Sequence, residues 1–335
     1  MASALLTFGR GLRPTDVFDQ YWRFAYERMR TFVRRKRGDL ILTDDPIIAQ
    51  FRFTNAYRVI DRVTQYLITH VLQNCSDVRE VFFKTLLFKI FNKIETWELL
   101  ESTVGRISVD GFRWAEADAV LSRAIDAGQT IYSAAYIMPS PSFGLRYKHE
   151  NHLALLRSLV EADTASRWAE ANSLRELYTI LRDVPSFGRF LAFQYAIDLN
   201  YSDCVAFDED SFVVAGPGAV DGISKCFENG GQLEPEAVIA AVTEDQRAQF
   251  DRLGLDFPGL YGRPLKLIDC QNLFCEISKY SRASHPHVQG AAKRTTIKQA
   301  YRRRGAPIED LAFPRSWSLE PQRDYEDCVP AVVPR

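Results

Sequence analysis

The chain has 335 residues, 46% hydrophobic and 12% aromatic, which excludes global disorder and suffices for a packed core in one large domain or two lobes. Its 42 Lys and Arg stand against 43 Asp and Glu, a net charge of −1 that excludes a uniformly basic or acidic surface. No run nears the roughly 20 apolar residues of a membrane span, and the start, MASALLTFGRGLRP, lacks the basic, apolar and small-residue segments of a secretion signal. A cytoplasmic protein without membrane contact is expected.

Residues 16–37 place Phe18, Trp22, Ala25, Met29 and Phe32 at helical spacing with charges between them, which predicts an amphipathic helix. Asp44, Asp45 and Pro46 predict a turn, and Pro46 through Leu72 reads as one long or broken helix. On it Asn55, Arg58, Asp61, Arg62 and Gln65 recur mostly at three- and four-residue intervals and share a polar face, where Arg58 can pair with Asp61. Residues 78–101 predict a strongly apolar helix, broken around Asn92–Thr96. Further helices are expected within 115–127 and 152–182, separated by a segment whose loop holds Pro139, Pro141 and Gly144. After Gly188, RFLAFQYAIDLNYS predicts another helix with Gln194 and Asp198 four apart. With no series of alternating strands and no internal repeat, the expected fold class is mainly α, in two helical lobes.

Charge is unevenly placed. Arg28, Arg30, Arg34, Arg35, Lys36 and Arg37 form one acid-free run, and Lys293, Arg294, Lys298, Arg302, Arg303 and Arg304 cluster near the other end. Such runs are solvated surface or contacts to a polyanion, where each neutralised phosphate releases counterions. The six cysteines (Cys75, Cys204, Cys226, Cys270, Cys275, Cys328) are scattered and expected to be reduced. Cys270 and Cys275 lack the further ligands of a zinc site, so no metal and no cofactor are expected. His149/His152 and His285/His287 read as exposed loop pairs.

At SFVVAGPGAVDGISKCF, Gly216-Pro217-Gly218 joins a short apolar stretch to a new helix. A dinucleotide-binding loop through Gly222 would need a preceding strand and an acid about 20 residues on, where only Glu236 is well spaced. A helix-hairpin-helix over 189–227 is the second reading: the glycines turn the backbone, and Gly216, Gly218 and Ala219 open a helix whose amides suit a DNA phosphate. An ordinary helix–helix turn is the third.

The segments FRFTNAYRVIDRVTQYL, FFKTLLFKIFNKIETWELL, RFLAFQYAIDL, AGPGA and LIDCQNLFCEISKY, across roughly residues 46–285, resemble the helix-hairpin-helix DNA glycosylase superfamily. Within it the chain is most similar to the branch named for alpha-glutamyl/putrescinyl thymine pyrophosphorylases, related to the helical domain attached to phage hydroxymethyluracil DNA kinases. The resemblance implies a two-lobed core at 46–292 with an insertion near 228–264, preceded by a basic amphipathic helix at 1–45 and followed by a basic tail at 293–335. It implies Asp269 as the carboxylate beneath an oxocarbenium-like sugar, with Asp221, Glu236 and Asp251 as alternatives. Val220 stands where strand-cutting relatives carry lysine, which implies a monofunctional enzyme leaving an abasic site.

The expected activity is therefore excision of a bulky hydroxymethylated or glycosylated pyrimidine, flipped out of double-stranded phage DNA in an anti-phage defence. No obligatory protein partner is expected. Asn55, Tyr57, Arg58, Asp61, Gln65, Asn92 and Glu95 are the expected base-pocket residues. Lys225, Lys279, Arg34, Arg35, Lys293 and Arg294 are the expected DNA contacts, with the hairpin glycines and Ala219. Two alternatives remain: a hypermodification enzyme acting on an activated hydroxymethylpyrimidine, and a non-catalytic DNA-binding module.

Overall fold

In a computed structural model of the chain, the described residues are 11–303, 308, 310–320, 329 and 332. They are mainly α-helical, with three isolated β-bridges and no sheet among them. The helices are α1 (Asp16–Arg37), α2 (Pro46–Gln50), α3 (Arg62–Tyr66), α4 (Val78–Phe91), α5 (Ile94–Val104), α6 (Trp114–Asp126), α7 (Lys148–Glu161), α8 (Thr164–Ala169), α9 (Leu174–Arg182), α10 (Arg189–Asn200), α11 (Pro217–Cys226), α12 (Pro235–Glu244), α13 (Gln246–Arg252) and α14 (Leu267–Ser284). Two compact units result. One takes in the described residues up to Asp61, Val213–Leu311 and those from Leu319 on; the other comprises Arg62–Phe212 and Ala312–Ser318.

In the first unit, α1 has the predicted bounds because its ends are chemically marked. The Thr15 hydroxyl accepts from Val17 N–H, Asp16 and Asp19 occupy the first turn, and Gly38 closes the helix at φ 90°. Its apolar side carries Tyr21 and Trp22 onto Phe274 and Phe250, with ring centroids 4.6 and 5.0 Å apart. The closest packing is between α11 and α14. A Cβ at Gly218 would overlap the Cys275 side chain, and one at Gly222 would overlap the Phe274 carbonyl. Beside this seam the Lys225 ammonium, 2% exposed, donates to Ser278 O at 2.8 Å and lies 3.6 Å from Asp221, which also accepts from the Ser278 hydroxyl and Ala292 N–H.

Asp269 at the start of α14 is buried and accepts two main-chain bonds, from Lys266 N–H at 3.0 Å and from Arg58 N–H at 2.8 Å. It caps its own helix and pins a distant segment to it. Burial raises its pKa from the ordinary carboxylate value of 3.8 to about 6, outweighing those two bonds and the nearby Arg263 and Arg58 charges.

In the second unit, α4 is apolar on nearly all sides and packs against α7, α8 and α10, while α9 covers α10 and α6 covers α5. Lys89 and Asp198 form a buried pair at 3.3 Å. Asn92 ends α4 in the left-handed region at φ 48°, which produces the break expected near residue 92. His149 and His152 are not exposed loop residues. Both are buried on α7, where the Tyr132 hydroxyl and Pro139 carbonyl hold His152 and burial pushes its pKa down to about 4.

Of the two readings of Pro46 through Leu72, the broken helix holds and the single long one does not: after α2 the chain is extended, makes a single 3-10 turn at Arg58–Ile60, then forms α3 and a π turn at Leu67–Val71. Nor do α10 and α11 form a tight hairpin. Residues 201–216 separate them, α10 belonging to the second unit and α11 to the first. Gly218 and Gly222 serve helix–helix approach rather than a turn.

Gly222→Ala should therefore destabilise the protein by about 3 kcal/mol in urea unfolding, through overpacking of the seam. Gly231→Ala, where an added Cβ meets nothing within 4 Å, is the control and should stay within about 0.5 kcal/mol. For Asp269 the folded state binds its proton more tightly than the unfolded chain, so its contribution to stability falls as pH rises from about 4 to about 6 and is flat above. Unfolding midpoints of Asp269→Asn from pH 4 to 7 should lack that decline, about 3 kcal/mol at about 1.4 kcal/mol per pKa unit; an identical slope in both proteins would refute the burial account.

Candidate functional site

Between α2 and α3, residues 51–61 form a strap in the first unit that is held by charged side chains. The Arg28 guanidinium from α1 donates to the carbonyls of Thr54 (2.8 Å) and Phe53 (3.4 Å) and to Asn55 Oδ1 (3.2 Å). From α14, Glu276 accepts from Thr54 N–H at 3.1 Å while Asp269 accepts from Arg58 N–H. The strap also closes on itself, with Asn55 N–H donating to Asp61 Oδ1 at 3.3 Å and Asn55 Nδ2 to Ile60 O at 3.0 Å. Tyr57 donates its hydroxyl to Arg263 O and accepts from Leu260 N–H. Arg28 binds the strap's carbonyls and acids bind its amides, while a β-bridge from Phe51 to Ala300 pairs its start.

The result is a compact charge cluster of Arg28 and Arg58 with Asp61, Glu276 and Asp269. Burial raises Asp61 from 3.8 to about 6; the Glu276 charge adds to the rise, while the Asn55 bond, Arg58 and Arg28 oppose it. Burial likewise lowers Arg28, against the pull of Glu276 and Asp61. The two raised carboxylates differ in availability. Both oxygens of Asp269 receive main-chain donors, whereas among the described residues Asp61 accepts only from Asn55. A half-buried carboxylate poised near neutrality with an oxygen to spare suits proton transfer.

Of the expected base-pocket residues, Asn55, Tyr57, Arg58 and Asp61 come together here with Asp269. Gln65, Asn92 and Glu95 belong to the other unit. Gln65 is bonded in both directions to the Ala312 backbone at 2.9–3.0 Å, Asn92 caps α4, and Glu95 is exposed 3.9 Å from Arg62.

Several expected DNA contacts are internal instead. Arg34, 2% exposed, pairs with Glu27 at 3.1 Å and donates to Leu42 O; Lys225 is enclosed beside Asp221; Lys279 pairs with Glu276 at 2.8 Å and covers the Phe53 ring. Arg35 is half-buried. Gly216 caps α11 in extended conformation and Ala219 is buried. Lys293 and Arg294 are exposed, as are Lys298, Arg302 and Arg303; Arg304 and Cys328 lie outside the described residues. Of the alternatives to Asp269, Asp221 is tied to Ser278 and Ala292, Glu236 accepts from Ala215 N–H, and Asp251 is exposed.

Sequence reasoning missed Arg28 and Glu276 as site residues. A signal existed for Arg28: it lies seven residues after Tyr21 and three after Ala25, on the apolar face of α1 rather than its solvent face. For Glu276 no local signal distinguishes it from a surface acid.

The family described as 5-hmdU DNA kinase, helical domain, matches residues 15–290. The chain is also 28% identical over 290 residues to a protein named 5-hmdU DNA kinase from Bacillus phage SP10, an overlap of 79% of this chain and 45% of the phage protein. The chain thus spans less than half the length of the curated relative it matches. No solved structure matches it.

These findings overturn the glycosylase reading, because a kinase transfers a phosphoryl group and leaves the glycosidic bond whole. The abasic product, the hydrolase assignment and the defence role that rested on excision fall with it, and the pyrophosphorylase-type alternative gains no support. By its match over residues 15–290, the chain belongs to the family of the 5-hmdU DNA kinase helical domain.

Proposed function

We propose that this chain engages DNA containing 5-hydroxymethyluracil and serves phosphoryl transfer to the hydroxymethyl oxygen, with Asp61 accepting the hydroxyl proton. The observation that carries the reading is the Asp61 carboxylate, held near neutrality between Arg28 and Arg58, in a chain whose family is named for that kinase. In phosphoryl transfer an aspartate that receives the attacking hydroxyl's proton is a recurring element, and neighbouring guanidiniums offset the accumulating negative charge. The 335 residues contain no G-x-x-x-x-G-K-[ST] phosphate loop, so our reading gives this chain the nucleic-acid side of the reaction.

The exposed cations at 293–303 supply phosphate contacts in this reading. Their segment returns to the strap: Arg52 N–H donates to Gln299 O at 2.9 Å, and Tyr301 N–H to Gln50 O at 2.8 Å. Charge that tracks the backbone thus lies beside residues suited to a polar base substituent.

Fluorescence anisotropy with duplexes differing only in one 5-hydroxymethyluracil for thymine should show about tenfold tighter binding to the hydroxymethylated strand, the size of one or two added polar contacts. Lys293→Ala with Arg294→Ala should weaken binding to both duplexes equally and reduce the salt slope by about 2. Supplied together with a kinase domain that carries a phosphate loop and with γ-labelled ATP, the chain should support label transfer to the modified duplex that rises with pH through about 6 and is lost in Asp61→Asn while binding persists, because only the carboxylate form accepts the proton. Equal affinity for the two duplexes would overturn the reading.

A further inference from the structure

Among the described residues, seven large apolar side chains are exposed, and four lie in one short stretch: Ile137 (66%), Phe143 (39%), Leu145 (48%) and Tyr147 (41%). The surrounding segment is also unusual in charge. In a chain with 43 Asp and Glu, residues 127–149 hold none, and they include Arg146 and Lys148. Exposed apolar side chains on a loosely held loop would fold back on their own unit, but this loop is prevented from doing so.

One buried side chain, Asn151 on α7, accepts from Phe143 N–H (3.0 Å) and Leu145 N–H (3.3 Å) and donates to the carbonyls of Leu145 (2.9 Å) and Tyr147 (2.7 Å). Glu150 accepts from Tyr147 N–H, and His152 binds Pro139 O at 3.0 Å. Gly144, between Phe143 and Leu145, takes φ +76°, which directs the tip through a turn that a side chain would strain. The fold thus fixes an apolar tip in solvent before any partner arrives, and the ordering entropy is already lost in the free protein.

We propose that residues 137–147 form a wedge for duplex DNA, inserting Phe143 or Leu145 between stacked base pairs while Arg146 faces the phosphates. The inference rests on the reading that the chain engages DNA, and adds a loop of the second unit that unstacks the duplex. Apolar wedges of this kind unstack a base step and kink the duplex. The Arg146 guanidinium stacks over the exposed Tyr147 ring at 4.9 Å, a planar pair of the type on which bases stack. The absence of acid removes the repulsion a polyanion would meet. An anionic membrane is a poorer fit, since stable attachment relies on a polybasic cluster and this segment offers two cations.

The test uses the full chain and a duplex with 2-aminopurine beside 5-hydroxymethyluracil. Wild type should raise 2-aminopurine emission severalfold on binding. The triple variant Ile137→Ser, Phe143→Ser, Leu145→Ser should fold with the same thermal midpoint, bind about tenfold more weakly and give no rise at saturation. An equal rise in the variant, or wild-type binding without any rise, overturns the wedge and leaves the DNA reading intact. Failure of wild type to bind any duplex overturns both. Association with phosphatidylserine vesicles that the triple variant abolishes, with DNA binding unmoved, assigns the loop to membranes and overturns the wedge.

Discussion

The first unit depends on how closely α11 and α14 approach. Two positions without side chains, Gly218 and Gly222, let one helix backbone lie against the other, and everything nearby is set by that distance. The Lys225–Asp221 pair spans the same seam to Ser278. Such a buried pair is weak support for stability by itself, because desolvation offsets much of its attraction. Its geometric role is clearer. Asp221 also receives the Ala292 amide, and a Cβ at Gly290 would overlap both Asp221 and Lys225, so the seam anchors the chain where the exposed cationic segment begins.

The same helix organises the strap from its other turns. Asp269 and Glu276, seven residues apart, fall on one face of α14 and each take an amide of the strap. Arg28 takes the carbonyls from the opposite element. A chain segment with one β-bridge and a single 3-10 turn would leave most of its backbone groups costly to bury, and charged side chains meet much of that demand here. The electrostatic consequence is functional in our reading. Fixing the strap crowds two guanidiniums and three carboxylates; Asp269 gives both oxygens to main-chain amides, Asp61 and Glu276 each accept one, and Glu276 is further paired with Lys279. Structure and chemistry are therefore divided between similar groups: Asp269 holds the strap, while Asp61 retains an oxygen for a proton.

Much of the helical content was legible because it is locally encoded. The bounds of α1 follow from its capping threonine, its acidic first turn and its terminal glycine, and the break after α4 follows from an asparagine that tolerates a left-handed conformation. The strap was not legible. Its residues have helical spacing, and their extended path is imposed by Arg28, Asp269 and Glu276, which are distant in sequence. The glycines of AGPGAVDG were recognised as special, but a sequence shows only that a side chain is missing, not whether the space serves a turn, a ligand or another helix. Asp269 was likewise singled out for catalysis when its local setting, three residues into a new helix, equally describes a cap.

The near-neutral total charge has a different meaning once side chains are placed. The first cationic run is not a surface patch: Arg28 binds the strap, Arg34 binds Glu27 and Leu42, and Arg37 pairs with Asp39 at 2.6 Å. Those cations are matched within the unit and contribute little field to solvent. The second run keeps Lys293, Arg294, Lys298 and Arg302 exposed, on a segment tied to the strap by main-chain bonds. Two sequences of similar composition thus diverge in role because one lies on the buried phase of a helix and the other on an irregular segment where long side chains remain in water. For a polyanion, the second run presents the charge that matters, on a segment that runs from α11, where Ala292 N–H bonds Asp221, to the start of the strap at Gln299 and Tyr301.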